Sequence, residues 1–104
     1  MSPVDLFAWS DGDLVKAKVT QCALARICGA CGQSLGRPVA FVGTAAEVGR
    51  NAFHAPPLHT TCADDVRRAL DDSWEVVQTG GFEFVRPGRD DEDRRPTFQP
   101  NSLL

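Results

Sequence analysis

The sequence predicts one small domain of the α+β class, and three observations carry that prediction. Leu14 to Thr20 alternates, with Val15, Ala17 and Val19 facing one way and Lys16 and Lys18 the other, the period of a half-buried strand. Cys62, Val66 and Leu70 recur four apart with Ala63 and Ala69 beside them, the spacing of one helix face. Two pairs, Cys28 with Cys31 and His59 with Cys62, each enclose two residues. The length of 104 residues fits one domain with a modest core. Apolar residues at 42% and charged residues at 24% are ordinary for a globular protein and exclude collagen-like, wholly disordered and coiled-coil chains.

The elements follow in chain order. Leu6-Phe7-Ala8-Trp9 is a short apolar patch, and Ser10-Asp11-Gly12-Asp13 is a turn signal. The alternation then places an N-terminal strand over Leu14 to Thr20, followed by a connector to Ile27. Arg37 to Val42 reads as a strand with Pro38 near its start, where a missing N–H is tolerated. Gly43 to Arg50 is expected as a loop or brief helical turn, and Asn51 to Ala55 as the returning strand of a hairpin. Pro56-Pro57 stops any helix from running through. Thr60 or Thr61 can then cap a helix over about Thr61 to Asp72, with Asp64 and Asp65 in or near its first turn. Trp74 to Thr79 and Phe82 to Arg86 flank Gly80-Gly81 and are expected to close a tight hairpin. From Gly88 the chain turns highly charged. The expected division is a single domain over 1–87, with its core at 27–72, and a flexible charged tail over 88–104. Phe98, Leu103 and Leu104 in that tail can dock back or engage a partner.

The two pairs carry the chemistry. A structural zinc ion takes four ligands at tetrahedral corners, with sulfur at about 2.3 Å and nitrogen at about 2.0–2.1 Å. Ligands two residues apart can close on one ion if the backbone turns sharply, and Gly29 and Gly32 permit such a turn. His59 stands just before the predicted helix and Cys62 in its first turn, where the helix dipole favours a thiolate. The predicted ligands are therefore Cys28, Cys31, His59 and Cys62, holding one structural zinc. Cys22, six residues before Cys28, reads as a small buried residue, although it can replace a ligand. His54 competes with His59, but the His-x-x-Cys pairing fits the metal geometry better.

The order of knuckle, hairpin and helix N-terminus resembles a treble-clef zinc finger over about Ile27 to Asp72. The run Cys28-Gly29-Ala30-Cys31-Gly32-Gln33-Ser34-Leu35-Gly36-Arg37-Pro38-Val39-Ala40-Phe41-Val42-Gly43, with Pro56-Pro57-Leu58-His59-Thr60-Thr61-Cys62-Ala63, also resembles a group of small, uncharacterised zinc-finger-like proteins of actinobacteria and their phages. The resemblance implies the metal and the fold and no activity. Many such sequences follow the helix with another Cys-Pro. Here Ser73-Trp74 stands in that place, so any role of that cysteine is absent.

No catalytic set stands out. A treble clef also underlies HNH-type nucleases, for which Asn51 and His54 are suggestive, but the helix holds no histidine and its acids read as solvated surface. A catalytic zinc needs an open coordination position, and four ready ligands close it. The net charge of −3 weighs against a non-specific nucleic-acid binder, although Arg26, Arg37, Arg50, Arg67 and Arg68 can form a basic face. No apolar run is long enough to span a membrane, and Met1 to Ser10 has no basic n-region, so the cysteines are expected to stay reduced and the protein cytoplasmic. The expected function is a non-catalytic zinc-binding module for a protein partner, an adaptor or regulator. The alternative is a nucleic-acid-binding or HNH-like nuclease treble clef.

Overall fold

The structure, a computed structural model, describes residues 6–10, 12–90 and 95–102. It is a mixed α+β domain. A short hairpin opens the chain, with β1 (Trp9–Ser10) antiparallel to β2 (Asp13–Leu14) and Gly12 at φ +86° in the turn. Helix α1 (Lys16–Ala25) follows. Strand β3 (Val39–Gly43), helix α2 (Ala45–Arg50), strand β4 (Leu58–His59) and helix α3 (Thr60–Leu70) form the middle of the chain. Strands β5 (Glu75–Thr79), β6 (Gly81–Val85) and β7 (Thr97–Ser102) complete it.

The predicted strand over Leu14 to Thr20 is not formed: Leu14 ends β2, Val15 is the N-cap, and α1 begins at Lys16. The alternation was compatible with a second pattern, since Val15, Val19 and Cys22 also fall on one helical stripe. Val19 and Cys22 are buried while Ala17, which a strand would have turned inward with them, is exposed. Lys, Ala and Leu are strong helix formers and supply most of this segment. The helix stops at Arg26, which takes a left-handed conformation at φ 54° and returns its N–H to the Cys22 carbonyl.

The central sheet has the order β4-β3-β5, all antiparallel, with Val39 opposite both His59 and Thr79. Every residue of β3 is buried, because the strand is covered on both faces. The pleat turns Phe41 to one face, where its ring meets Phe53, Phe82 and Phe98 at centroid distances of 5.5–5.7 Å. Helix α3 packs on the sheet with Ala63 and Val66 fully buried. The returning strand of the hairpin is not Asn51 to Ala55. Asn51 ends α2 at φ 54°, Phe53 forms only an isolated bridge to Phe98, and pairing with β3 resumes at Leu58.

The predicted Gly-Gly hairpin does not form. Strand β5 pairs with β3, and β6 pairs with β7 in a separate ribbon. Only Gly80 separates the two strands, one residue fewer than the shortest common hairpin loop. The Thr79 hydroxyl donates to the Gly81 carbonyl at 2.7 Å and accepts the Gly81 N–H at 3.3 Å, which turns the chain from one sheet to the other. The composition break near Gly88 likewise does not end the packed chain, since Phe98 in β7 is fully buried against Phe41, Phe82 and Phe84. Of the tail residues singled out in the sequence, Asp91, Glu92, Asp93, Arg94, Leu103 and Leu104 lie outside the described residues, as does Asp11 in the first turn.

Candidate metal centre

The structure brings Cys28, Cys31, His59 and Cys62 together from three parts of the chain. Their donor atoms all lie within 4.8 Å of one another, which fits a single metal site. A tetrahedral zinc site separates its ligand atoms by about 3.5–3.8 Å, given its bond lengths. Here Nδ1 of His59 stands 3.3 Å from the Cys31 sulfur and 3.8 Å from that of Cys62.

The first pair is set by a tight knuckle. Ile27 bridges Ser34, Cys28 N–H donates to the Gln33 carbonyl at 2.8 Å, and Gly32 N–H returns to the Cys28 carbonyl at 2.9 Å. Gly32 takes φ +72°, which a side chain would strain. Gly29 is needed for another reason, because a Cβ there would overlap the Pro56 ring. That close approach lets Gly29 N–H reach the Pro57 carbonyl at 2.9 Å and ties the knuckle to the strand bearing His59. On the other side, Phe7 and Ala8 donate to the carbonyls of Ala30 and Gly29.

The second pair is set by the junction of β4 and α3. Leu58 is held in the sheet opposite Ala40, and the chain enters the helix at the very next turn. His59, not a threonine, is the N-cap, and its side chain makes no capping bond because it faces the cysteines. The helix therefore begins one residue earlier than the sequence suggests and ends at Leu70. Asp64 and Asp65 fall beyond its first turn and pair with arginines instead.

The polar contacts prepare the donors for a cation. His59 Nε2–H donates to the Ser34 carbonyl at 2.8 Å. A carbonyl only accepts, so the proton sits on Nε2 and the Nδ1 lone pair points at the sulfurs. The Cys28 sulfur accepts two backbone N–H groups, from Ala30 and His59, each at 3.4 Å. Burial, then the neighbouring Cys28 and Cys31, pushes the Cys62 thiol up to about 12. Three sulfurs and one imidazole nitrogen are a donor set that suits a thiophilic metal ion.

The competing residues lie elsewhere. Cys22 is fully buried in α1 and is not one of the four clustered donors, and burial followed by nearby Cys28 pushes its thiol up to about 11. His54 is drawn away from the cluster, with Nδ1 at 3.3 Å from the Pro96 carbonyl. Asn51 donates from Nδ2 to the Pro100 carbonyl at 2.8 Å. Three of the five arginines singled out for a basic face are also engaged. Arg67 contacts Asp64 at 2.8 Å and the Asp72 carbonyl at 2.9 Å, Arg68 reaches Asp64 and Asp65 at 3.3 and 2.9 Å, and Arg26 lies over the Phe82 ring at 4.9 Å. What sequence reasoning missed at this site is Ser34, whose contribution is a backbone carbonyl and so leaves no trace in residue type.

No family model, no curated protein and no solved structure matches the chain. Among the described residues no helix is long and apolar enough to cross a membrane.

Proposed function

We propose that the chain is a non-catalytic zinc-binding module of treble-clef type that serves as a docking unit for a protein partner. The observation that carries the metal reading is the bond from His59 Nε2–H to Ser34, which leaves Nδ1 as a ready ligand among three sulfurs. The treble-clef reading is supported by the order of parts, with a knuckle over 27–34, the antiparallel pair β3 and β4, and a helix whose N-terminus supplies the second ligand pair. Four protein donors leave no position for substrate, which supports a structural ion. The pairing of Arg67 and Arg68 with Asp64 and Asp65 supports a protein rather than a phosphate backbone as partner, since those guanidinium groups already have carboxylates. Leu24, 69% exposed on α1, is the most exposed large apolar side chain among the described residues.

Elemental analysis of the full chain tests the metal reading, with one zinc per chain expected. Circular dichroism should then show loss of structure when a chelator removes the ion, because apparent zinc binding energies of about 10–16 kcal/mol match or exceed the stability of a small domain. Fully retained structure in a metal-free preparation would defeat it. Salt-dependent binding to DNA or RNA at physiological ionic strength would transfer the partner reading to nucleic acid.

A further inference from the structure

The three sulfurs of the centre occupy different surroundings. Cys28 is fully buried and accepts two backbone N–H groups. Cys31 is exposed, and among the described residues no backbone N–H donates to its sulfur, whose polar neighbours are His59 Nδ1 at 3.3 Å and the Cys62 thiol. Cys62 is half-buried and approaches the same nitrogen at 3.8 Å. Hydrogen bonds to a thiolate withdraw electron density, and burial excludes reagents, so both effects shield Cys28 and neither shields Cys31. All four donor atoms lie within 4.8 Å, so a modified Cys31 sulfur has a second thiol at hand.

We propose that the centre is an oxidant-sensitive switch, in which a hydroperoxide attacks at Cys31 and Cys62 closes on it as the resolving thiol, releasing the metal. This rests on the reading of the four residues as a zinc site. In the first step the Cys31 thiolate attacks one peroxide oxygen. An S–O bond forms, the O–O bond breaks, and the departing hydroxide or alkoxide takes a proton from solvent. In the second step the Cys62 thiolate attacks the Cys31 sulfur, forming the S–S bond and expelling hydroxide, which leaves as water. Two thiolates lose two electrons in total and one hydroperoxide gains them. The knuckle and α3 stay linked through the new bridge, but Cys28 and His59 are left without the ion that fixed them.

The experiment uses the zinc-loaded full chain and hydrogen peroxide, with a chromogenic chelator reading released zinc and peptide mapping after alkylation reading the bridge. Stoichiometric release is expected, with a mass loss of about 2 Da, a Cys31–Cys62 bridge, and Cys22 and Cys28 still open to alkylation after unfolding. Cys31→His keeps four donors and should slow peroxide-driven release about tenfold or more. Cys22→Ala should release zinc as the parent chain does. A bridge between Cys28 and Cys31 or between Cys22 and Cys28, or equal release from the Cys31→His variant, overturns the assignment. If that variant binds no zinc, the bridge mapped in the parent chain decides alone. Zinc that is bound but unmoved by peroxide sinks the switch and leaves the module standing, whereas a chain that binds no zinc at all removes the reading beneath it.

Discussion

The imidazole of His59 is fixed at both ends, with Nε2–H on the Ser34 carbonyl at 2.8 Å and Nδ1 at 3.3 Å from the Cys31 sulfur. The first contact selects the tautomer that makes the second one useful. His59→Ala removes one of the four clustered donors and the ring that joins the knuckle to the helix, so zinc affinity should fall by more than about 100-fold. Competition against a chromophoric chelator measures this, and an unchanged affinity would mean that the ring is not a ligand.

Zinc binding should be coupled to protons. In the metal-free chain the Cys62 thiol is raised from its ordinary 9.0 to about 12, chiefly by burial. A raised folded value favours the protonated form, so its contribution to metal-free stability is intact below about pH 9 and is lost as pH climbs through about 12. Zinc works in the opposite sense because it requires the thiolate. Affinity should therefore climb between about pH 6 and 8, with protons released on binding. Calorimetry in buffers of differing ionisation enthalpy counts those protons, and a count of zero would contradict a thiolate site.

The donor set was legible in the sequence because ligand chemistry confines it to residue types and spacings, and Cys28, Cys31, His59 and Cys62 meet as those spacings imply. Helix α3 was legible for a similar reason, its apolar stripe being unambiguous. Helix α1 was not, because Val15, Ala17 and Val19 satisfy a strand pattern while Val15, Val19 and Cys22 satisfy a helical one, and only packing decides between them. The partners of β5 and β6 were hidden too. Strand runs announce themselves locally, but pairing with β3 and β7 depends on chain segments far away in sequence.

Gly32 should resist substitution. Its φ of +72° lies in the left-handed region, and a Cβ would come within 3.2 Å of the Phe7 ring. Gly32→Ala should cost about 1–2 kcal/mol and speed zinc loss, whereas Gly32→Asn, which tolerates that backbone better, should cost less. Thermal unfolding of the zinc form ranks the two, and the reverse ranking would refute the backbone explanation.

Phe98 ties the charged C-terminal segment to the core. Its ring meets Phe84, Phe41 and Phe82 at 5.0, 5.7 and 5.8 Å, and its backbone exchanges two hydrogen bonds with Phe53 at 2.7 and 2.9 Å. Phe98→Ala should destabilise the domain by about 3–5 kcal/mol, read as a lower urea midpoint. A change within about 0.5 kcal/mol, the range of a surface substitution, would show that the ribbon contributes little.

Helix α2 has six residues, too few to persist unaided, and a shared carboxylate holds it in place. Glu47 Oε1 accepts the Thr44 N–H and hydroxyl at 3.0 and 3.3 Å, Oε2 accepts the His54 N–H at 2.9 Å, and Glu47 N–H returns to the Thr44 hydroxyl at 3.2 Å. One side chain thus closes a capping box and anchors the segment that leads to Pro56, against which Gly29 of the knuckle is packed. Thr44→Ala should cost about 1 kcal/mol, and Glu47→Ala more, because it also strips the His54 N–H of its acceptor. Since the two residues share bonds, the double variant should lose less than the sum of the singles by about 0.5 kcal/mol or more. Strict additivity in chemical denaturation would dissolve the box as an energetic unit and leave the His54 contact as the only reason for Glu47.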